Sequence, residues 1–472
     1  MKKYDIRLKK IRPPEKDCAG TPVALTDETI QHRKNKILTM MKQRGLEQLV
    51  IYGDVEHCGN FEYLTGFFTR FEEALMVINV DGEITLVLGN ENLNKVSKAR
   101  VKARAVHLSH FSLPNQPNRN DKSIKELLIE AGIRENARTG LVGWKMFTDG
   151  SAIDKKIYDL PSFIVDTIRN IVGNEACLTN EIDLFIGENG VRTVNNANEI
   201  AHYEYGAALA SDCILDAMNA LAPGVTEQEL GDRLVRSGQH TNIVTIAASG
   251  PRFIKGNLFP GENTVKYGDT ISLTVGYRGG ASSRAGYAVN GSNLLSTGAE
   301  NYLDAIARPY FAAYVHWLEA ITVGMRGGEL FDRIDAILPR EKYHWSLCPG
   351  HLTAEEEWMS SPIYEGSQQT LQSGMILQID IIPSIPNLGG VSAESTVLLA
   401  DKQLQREIEF QYPQLWQRMQ RRRHYLIETL GINLSADILP MCSTVAYLRP
   451  WLLDHDTAFV CHFLQKGVDK CE

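Results

Sequence analysis

His351, Asp380 and Glu394 are the residues of this 472-residue chain whose types and settings can do chemistry. His351 follows Cys348-Pro349-Gly350, a turn able to aim a side chain into a cleft, and an imidazole's ordinary pKa suits proton transfer near neutrality. A histidine on the surface or satisfied in a core would do neither. Asp380 ends the apolar run Met375–Ile379, and Glu394 sits between Ala393 and Ser395 at the head of another. Carboxylates in such settings are seldom buried without a partner or a task, and a structural salt bridge is the plain alternative. Together, one imidazole and two carboxylates make a permissible ligand set for a single metal with a position left for water. Without a metal, the same carboxylates would hold a cationic substrate group such as a guanidinium or ammonium.

The elements that must position these groups follow from periodicity. After Thr26, the residues Ile37, Leu38, Met41 and Leu46 recur at helical spacing, with Gly45 as the stop. Leu49–Gly53 reads as a short buried strand, and Ala74–Ile78 and Ile84–Leu88 flank Asp81-Gly82, the dipeptide of a tight hairpin. Strands and helices continue, so residues 1–190 are expected to form an α/β domain, with residues 1–25 as an arm. A second domain is expected over 191–402. Its long helix from Glu199 to Leu221 closes at Pro223-Gly224, strands follow at 242–248 and 270–276, and a second long helix near 298–322 ends at Gly324. Further strands fall at 375–382 and 394–399, and residues 403–472 read as a helical C-terminal extension.

An internal repeat links the two long helices. Gly224, Glu229-Leu230, Asp232-Arg233 and Leu234 are matched 100 positions later by Gly324, Glu329-Leu330, Asp332-Arg333 and Ile334. Each copy ends one helix and begins another, which implies two related halves in one domain; a solenoid would need more copies.

Composition sets outer limits. With 43% apolar and 22% charged residues the chain is neither disordered, collagenous nor a membrane bundle. Its 57 acidic against 49 basic side chains argue against a nucleic-acid footprint, and Arg421-Arg422-Arg423 reads as a solvated helix face. No apolar run approaches the ~18 residues of a membrane span. The opening MKKYDIRLKK lacks the apolar stretch of a secretory signal, and the eight cysteines show no CxxC, so reduced thiols and a cytoplasmic location are expected.

An ordered set of segments resembles the creatinase, aminopeptidase P and methionine aminopeptidase superfamily, the pita-bread fold. These are Arg192–Ile200, Leu221–Glu227, Val265–Leu273, Gly350-His351, Gly374–Asp380 and Ala393–Val397, and the similarity covers roughly residues 30–400. The resemblance implies an α/β (α+β) chain in which a creatinase-like domain precedes a pita-bread domain with pseudo-twofold symmetry. It also exposes losses. Peptidases of this fold bridge two metals with two aspartates, one histidine and two glutamates. The first aspartate position is matched by Thr274, and the second falls in Ala281-Ser282-Ser283-Arg284, with no Asp or Glu from Thr270 to Ala299. Two cations need anionic oxygens there, so a two-metal aminopeptidase is not expected. Creatinase is a metal-free member, but its acid–base histidine has no counterpart in Ser249–Asn257. Trp358-Met359, read as an apolar wall, stands where the peptidases place a second histidine.

Phe68-Thr69-Arg70-Phe71 resembles the segment creatinase sends into its partner's site, which implies a homodimer with Phe68 and Arg70 at the substrate and Arg70 on its carboxylate. Glu72-Glu73 would orient Arg70. Arg252 and Lys255 would face the cleft, and Arg284 would bind substrate or pair with Asp380 or Glu394. Glu355-Glu356-Glu357 reads as an exposed stretch. The expected function is hydrolysis of a C–N bond in a small amino-acid-like or amidine substrate, with His351 moving the proton and no cofactor required. The alternatives are a single-metal peptidase or lyase using His351, Asp380 and Glu394 as ligands, and an inactive peptide- or protein-binding relative.

Overall fold

The computed structural model describes residues 4–462, apart from 70, 117–121, 150–151, 251, 253–258, 293–294 and 296–297. The chain divides into two compact units, Leu25–Thr193 and Met1–Ala24 with Val194–Glu472.

The larger unit opens with β1 (Asp5–Lys10), and the smaller one with α1 (Asp27–Arg44). Thr26 caps α1 by accepting from the Thr29 N–H, and Asp27 and Glu28 sit in its first turn and Lys42 and Arg44 in its last, each complementing the helix dipole. There follow β2 (Gln48–Gly53), α2 (Gly59–Thr65), β3 (Ala74–Asn79), β4 (Ile84–Leu88) and β5 (Arg104–His107). Next come α3 (Ile124–Glu130), β6 (Thr139–Val142), a small hairpin of β7 (Thr148–Asp149) and β8 (Ala152–Ile153), α4 (Ser162–Val172), β9 (Leu178–Asn180) and α5 (Asp183–Ile186). Six strands form one sheet in the order β5-β4-β3-β2-β6-β9. Every residue of β2, β3 and β4 is buried, which is why their sequences run apolar without alternation. Asp81-Gly82 turns β3 into β4 as the dipeptide signals, with Gly82 at φ +93°.

In the larger unit α6 (Ala197–Ala220) leads to α7 (Glu227–Leu234) and to the antiparallel sheet β10 (Ile246–Ser249), β11 (Thr270–Tyr277), β12 (Gly280–Tyr287). Asn196 and Glu199 form a capping box at the start of α6. The helix packs so closely on the β11–β12 turn that a Cβ at Gly206 would stand 1.8 Å from the Arg278 carbonyl oxygen. Ile214, Met218, Leu273 and Val275 fill the core of this half. The second half repeats the plan. After a π-helical turn (Leu303–Ala307), α8 (Arg308–Ala320) leads to α9 (Gly327–Ile337), α10 (Arg340–Tyr343), and the strands β13 (His351–Leu352), β14 (Ile376–Gln378) and β15 (Thr396–Leu399). Both copies turn at a glycine of positive φ, +97° at Gly224 and +90° at Gly324. Gly224 N–H donates to Val265 and Gly324 N–H to Leu371, and the next bridges are Thr226 to Thr264 and Arg326 to Thr370.

Residues after 400 form α11 (Lys402–Gln411), α12 (Pro413–His424), β16 (Ile438–Pro440), which extends the second sheet to the order β13-β14-β15-β16, and β17 (Thr457–His462), paired antiparallel with β1. The arginine run is only in part a solvated face: Arg421 is exposed, but Arg422 is buried, bonded to Asp17 at 2.7 and 2.8 Å and to Glu204 at 2.7 Å. A guanidinium cannot be buried without such partners, and this one ties the N-terminal segment to α6 and α12. The seven described cysteines are free thiols, and among the described residues no helix is long and apolar enough to cross a membrane.

Candidate functional site

The second sheet gathers the site. His351 opens β13 opposite Gln378 of β14, and Gln378 lies opposite Thr396 of β15. Asp380 follows β14 and Glu394 precedes β15, so both carboxylates leave neighbouring strand ends on the same side. The observed strands are shorter than the apolar runs suggest, because the segments carrying the carboxylates diverge from the ladder while staying buried. Gly350, at φ +146°, stands where a Cβ would come within 2.9 Å of the Gln378 carbonyl, so the chain enters β13 tightly. Gln378 joins the strands further: its amide donates to Glu394 Oε1 at 3.0 Å and to the Ala281 carbonyl at 3.1 Å.

His351 is fully buried. Its Nδ1 lies 3.3 Å from the Leu352 carbonyl, which can only accept, so Nδ1 carries the hydrogen in that contact. Nε2 lies 3.1 Å from Glu357 Oε1, yet out of line for a hydrogen bond, and makes none. The Trp358 ring stacks on the imidazole at 4.0 Å and 21°. Burial opposes a cation here, but Glu357 and Asp380 outweigh it and raise the His351 pKa. Burial first, and then the Glu357 charge, raises Asp380 to about 6, against the pull of His351. Glu394 is pushed well above the usual carboxylate range by burial and by the neighbouring charges of Asp380 and Glu357.

Glu357 is the participant that sequence reading misses. The chain leaves β13, returns through Leu352 N–H to the Ser360 carbonyl and Met359 N–H to the Leu352 carbonyl, and so folds residues 353–358 back over His351. Tyr203 of α6 donates to Glu355 at 2.6 Å and Asn242 to the Glu355 carbonyl at 3.3 Å, anchoring the excursion. The glutamate run is therefore not an exposed stretch: Glu355 is buried, and Glu357 is directed at His351. Its one sequence signal is that three glutamates follow a Gly-His pair within seven residues.

Among the described residues, the ligand atoms that come within 4.8 Å of one another are those of His351, Glu357 and Glu394. Asp380, expected in that set, is not among them, and acts on His351 and Glu394 as a neighbouring charge. On the first sheet, Thr274 of β11 faces Ser283 of β12, and their hydroxyls bond at 2.7 Å. Ser283 N–H also donates to the Glu394 carbonyl, which places this pair beside the acidic group.

Arg284 does not bind substrate, and it does not pair with either carboxylate side chain. It is buried, and its five N–H groups go to Tyr447, Ser283, Glu394 and Thr444 carbonyls and to Ser395 Oγ. Arg252 is likewise engaged, 2.7 Å from the fully buried Glu227, which also accepts from Ser249 N–H and Gly261 N–H. Phe68 is half-buried in the smaller unit. Arg70 and Lys255 lie outside the described residues.

Two α–α–sheet halves related by an internal repeat, with a site at the strand ends of the second, make up the pita-bread fold. Residues 201–401 match the model of metallopeptidase family M24, so the chain carries an M24 domain. Among solved structures, recombinant prolidase from Thermococcus sibiricus is similar with a TM-score of 0.62 at 15% identity, over 80% of this chain and 96% of that one. Dipeptidase PepE from Mycobacterium ulcerans gives 0.61 at 16%, over 80% and 94%, and Xaa-Pro dipeptidase from Bacillus anthracis 0.59 at 16%, over 79% and 96%. At these identities the likeness is one of fold. No curated protein matches the chain.

Proposed function

We propose that this protein is an M24-type hydrolase of a C–N bond in a small amino-acid-like substrate, working as a homodimer. The observation that supports it best is one fully buried imidazole among three carboxylates at the strand ends of the second sheet. Two metals do not fit these residues, because Thr274 and Ser283 offer neutral hydroxyls already bonded to each other. One divalent cation fits, held by His351, Glu357 and Glu394. Burial of His351 under Trp358 favours this over a role as proton shuttle, since a substrate would first have to displace the indole. A cation in such a site polarises a carbonyl and makes a bound water more acidic.

The chain's own part is to hold the acidic groups close, exclude water with Trp358, and keep Asp380 beside them as a further anionic group for an ammonium or guanidinium. For the dimer, Arg70 from one subunit would clamp the substrate carboxylate in the other. Phe71, next in sequence, supports a covered surface there, being 71% exposed with φ +72°.

The test is turnover of X-Pro dipeptides and guanidino acids by the purified chain, with and without added Mn2+ or Zn2+. Release of product that His351→Ala abolishes supports the proposal, and no turnover in either condition sinks it. Replacement of both aspartates by hydroxyls favours one other reading, a relative that binds peptides without cleaving them. Thermal stabilisation by X-Pro dipeptides without turnover would establish that reading instead.

A further inference from the structure

We propose that the larger unit carries a second ligand site, which binds a phosphate monoester with an apolar or aromatic body. It is the cavity between the segment that follows β1 and the C-terminal end of α12. The cavity shares no residue with the acidic site and does not depend on the reaction proposed there.

Three observations carry it. The first is space. The cavity measures about 780 Å³, the size of a small-molecule pocket, and Pro13, Pro14 and Tyr425 give it apolar walls. Tyr425 is held in place, its hydroxyl donating to the Arg12 carbonyl at 3.0 Å.

The second is charge. Most cations on the wall are already matched: Arg12 pairs with Glu15, Lys16 with Asp216 at 2.8 Å, and buried Arg422 with Asp17 and Glu204. Arg421 and His424 are not matched. They line the cavity from one face of α12, three residues apart, and among the described residues their side chains make no hydrogen bond or ion pair. Basic groups in a last helical turn can serve the helix dipole. Here the helical hydrogen bonding runs on to Leu430, so the carbonyl end lies beyond them. A planar guanidinium fork beside an imidazole suits an anion of several oxygens. With the Thr429 and Ser443 hydroxyls on the same wall, the set matches a phosphate dianion; a carboxylate would be satisfied by Arg421 alone.

The third is the backbone. From Tyr425 to Thr429 the helix widens into a π turn, with Leu430 N–H donating to the Tyr425 carbonyl at 3.1 Å. Such turns are rare and concentrate at functional sites, and this one sets both Tyr425 and Thr429 on the cavity wall.

Isothermal titration calorimetry of the full chain with phenyl phosphate, benzoate and inorganic phosphate tests the proposal. Phenyl phosphate is expected to bind saturably, one per chain and at least tenfold tighter than either of the others, since it alone offers both the dianion and the apolar body. Arg421→Ala, a change at an exposed position, should weaken it at least tenfold. Arg406→Ala, which removes an exposed guanidinium from α11 outside the cavity, should leave it unchanged. No saturable binding, benzoate or inorganic phosphate binding as tightly, wild-type affinity in Arg421→Ala, or equal weakening by both variants would each overturn it.

Discussion

The two halves of the larger unit share a frame and differ in what they place at its edge. Each closes a long helix, turns at a glycine of positive φ, bonds that glycine to a carbonyl in the segment that leads into a sheet strand, and runs on to an antiparallel sheet. In the first half the facing residues are Thr274 and Ser283, two hydroxyls that satisfy each other. In the second, the groups gathered at the sheet edge are His351, Asp380 and Glu394, joined by Glu357, and among the described residues no arginine or lysine pairs with these carboxylates. Backbone ladders set the register, and side chains at the strand ends set the chemistry, so one scaffold can hold an inert pair and a reactive cluster side by side. The smaller unit supplies a second contrast. There Asp183 lies 2.9 Å from Arg44 and also pairs with Lys155, which overcomes the cost of burial and holds its pKa below the ordinary value. The half-buried carboxylate paired with cations is depressed, and the buried Asp380 and Glu394, which no arginine or lysine side chain pairs with, are raised.

The largest expected effect is that of His351→Ala, which should weaken Zn2+ binding at least a hundredfold by calorimetry. A loss under about tenfold would mean that the acidic half is not organised around the imidazole. Converting the inert half should sharpen the comparison from the other side: Thr274→Asp with Ser283→Asp is expected to raise the ion count from one to two in native mass spectrometry. Without ions, the same variant should be several kcal/mol less stable, because like charges are then buried together. An unchanged ion count would show that the two halves differ in more than these side chains.

Arg284→Met should cost about 3 kcal/mol or more in denaturant unfolding, since four carbonyls and Ser395 lose a charged donor, and Arg284→Lys should fail to restore it for want of a planar fork. Stability within about 1 kcal/mol of wild type would return Arg284 to the list of ligand-binding candidates. For the paired carboxylate, Asp183→Asn is expected to cost about 1–2 kcal/mol at pH 7. The folded pKa lies below the unfolded one, so this contribution is full above the unfolded value of 3.8 and is lost as pH falls through the folded value. Urea titrations of wild type and variant should therefore converge in strong acid, and a gap that persists there would point to lost packing instead. The smallest effect belongs to Trp358→Ala: about 1 kcal/mol from the lost stacking, with the ion count still one.

Much of this site is legible in the sequence alone. A polar residue that ends or begins an apolar run marks a place where the chain leaves a sheet without leaving the core, which is how Asp380 and Glu394 stand out. Gly350 before His351 marks a tight entry to a strand. Glu357 is not legible, because nothing in three consecutive glutamates says that one is fixed by Tyr203 and another reaches an imidazole. Arg252 and Arg284 read locally as free cations, since neighbouring residues do not show the buried Glu227 that faces one or the carbonyls that converge on the other.

By itself, the sequence determined the elements and their repetition. Apolar period, capping residues and turn glycines act over a few positions, and so Thr26, Asn196, Asp81-Gly82, Gly224 and Gly324 set where elements begin and turn. It also determined that the first half could not carry two metal-bridging aspartates, because the residue types are absent. Only the tertiary structure decided which charges meet. Arg422 with Asp17 and Glu204, Arg252 with Glu227, and Glu357 with His351 are contacts across chain separations or fold-backs that local propensity does not encode. Electrostatic partnership depends on distance in space, and the packed core, not the order of residues, sets that distance.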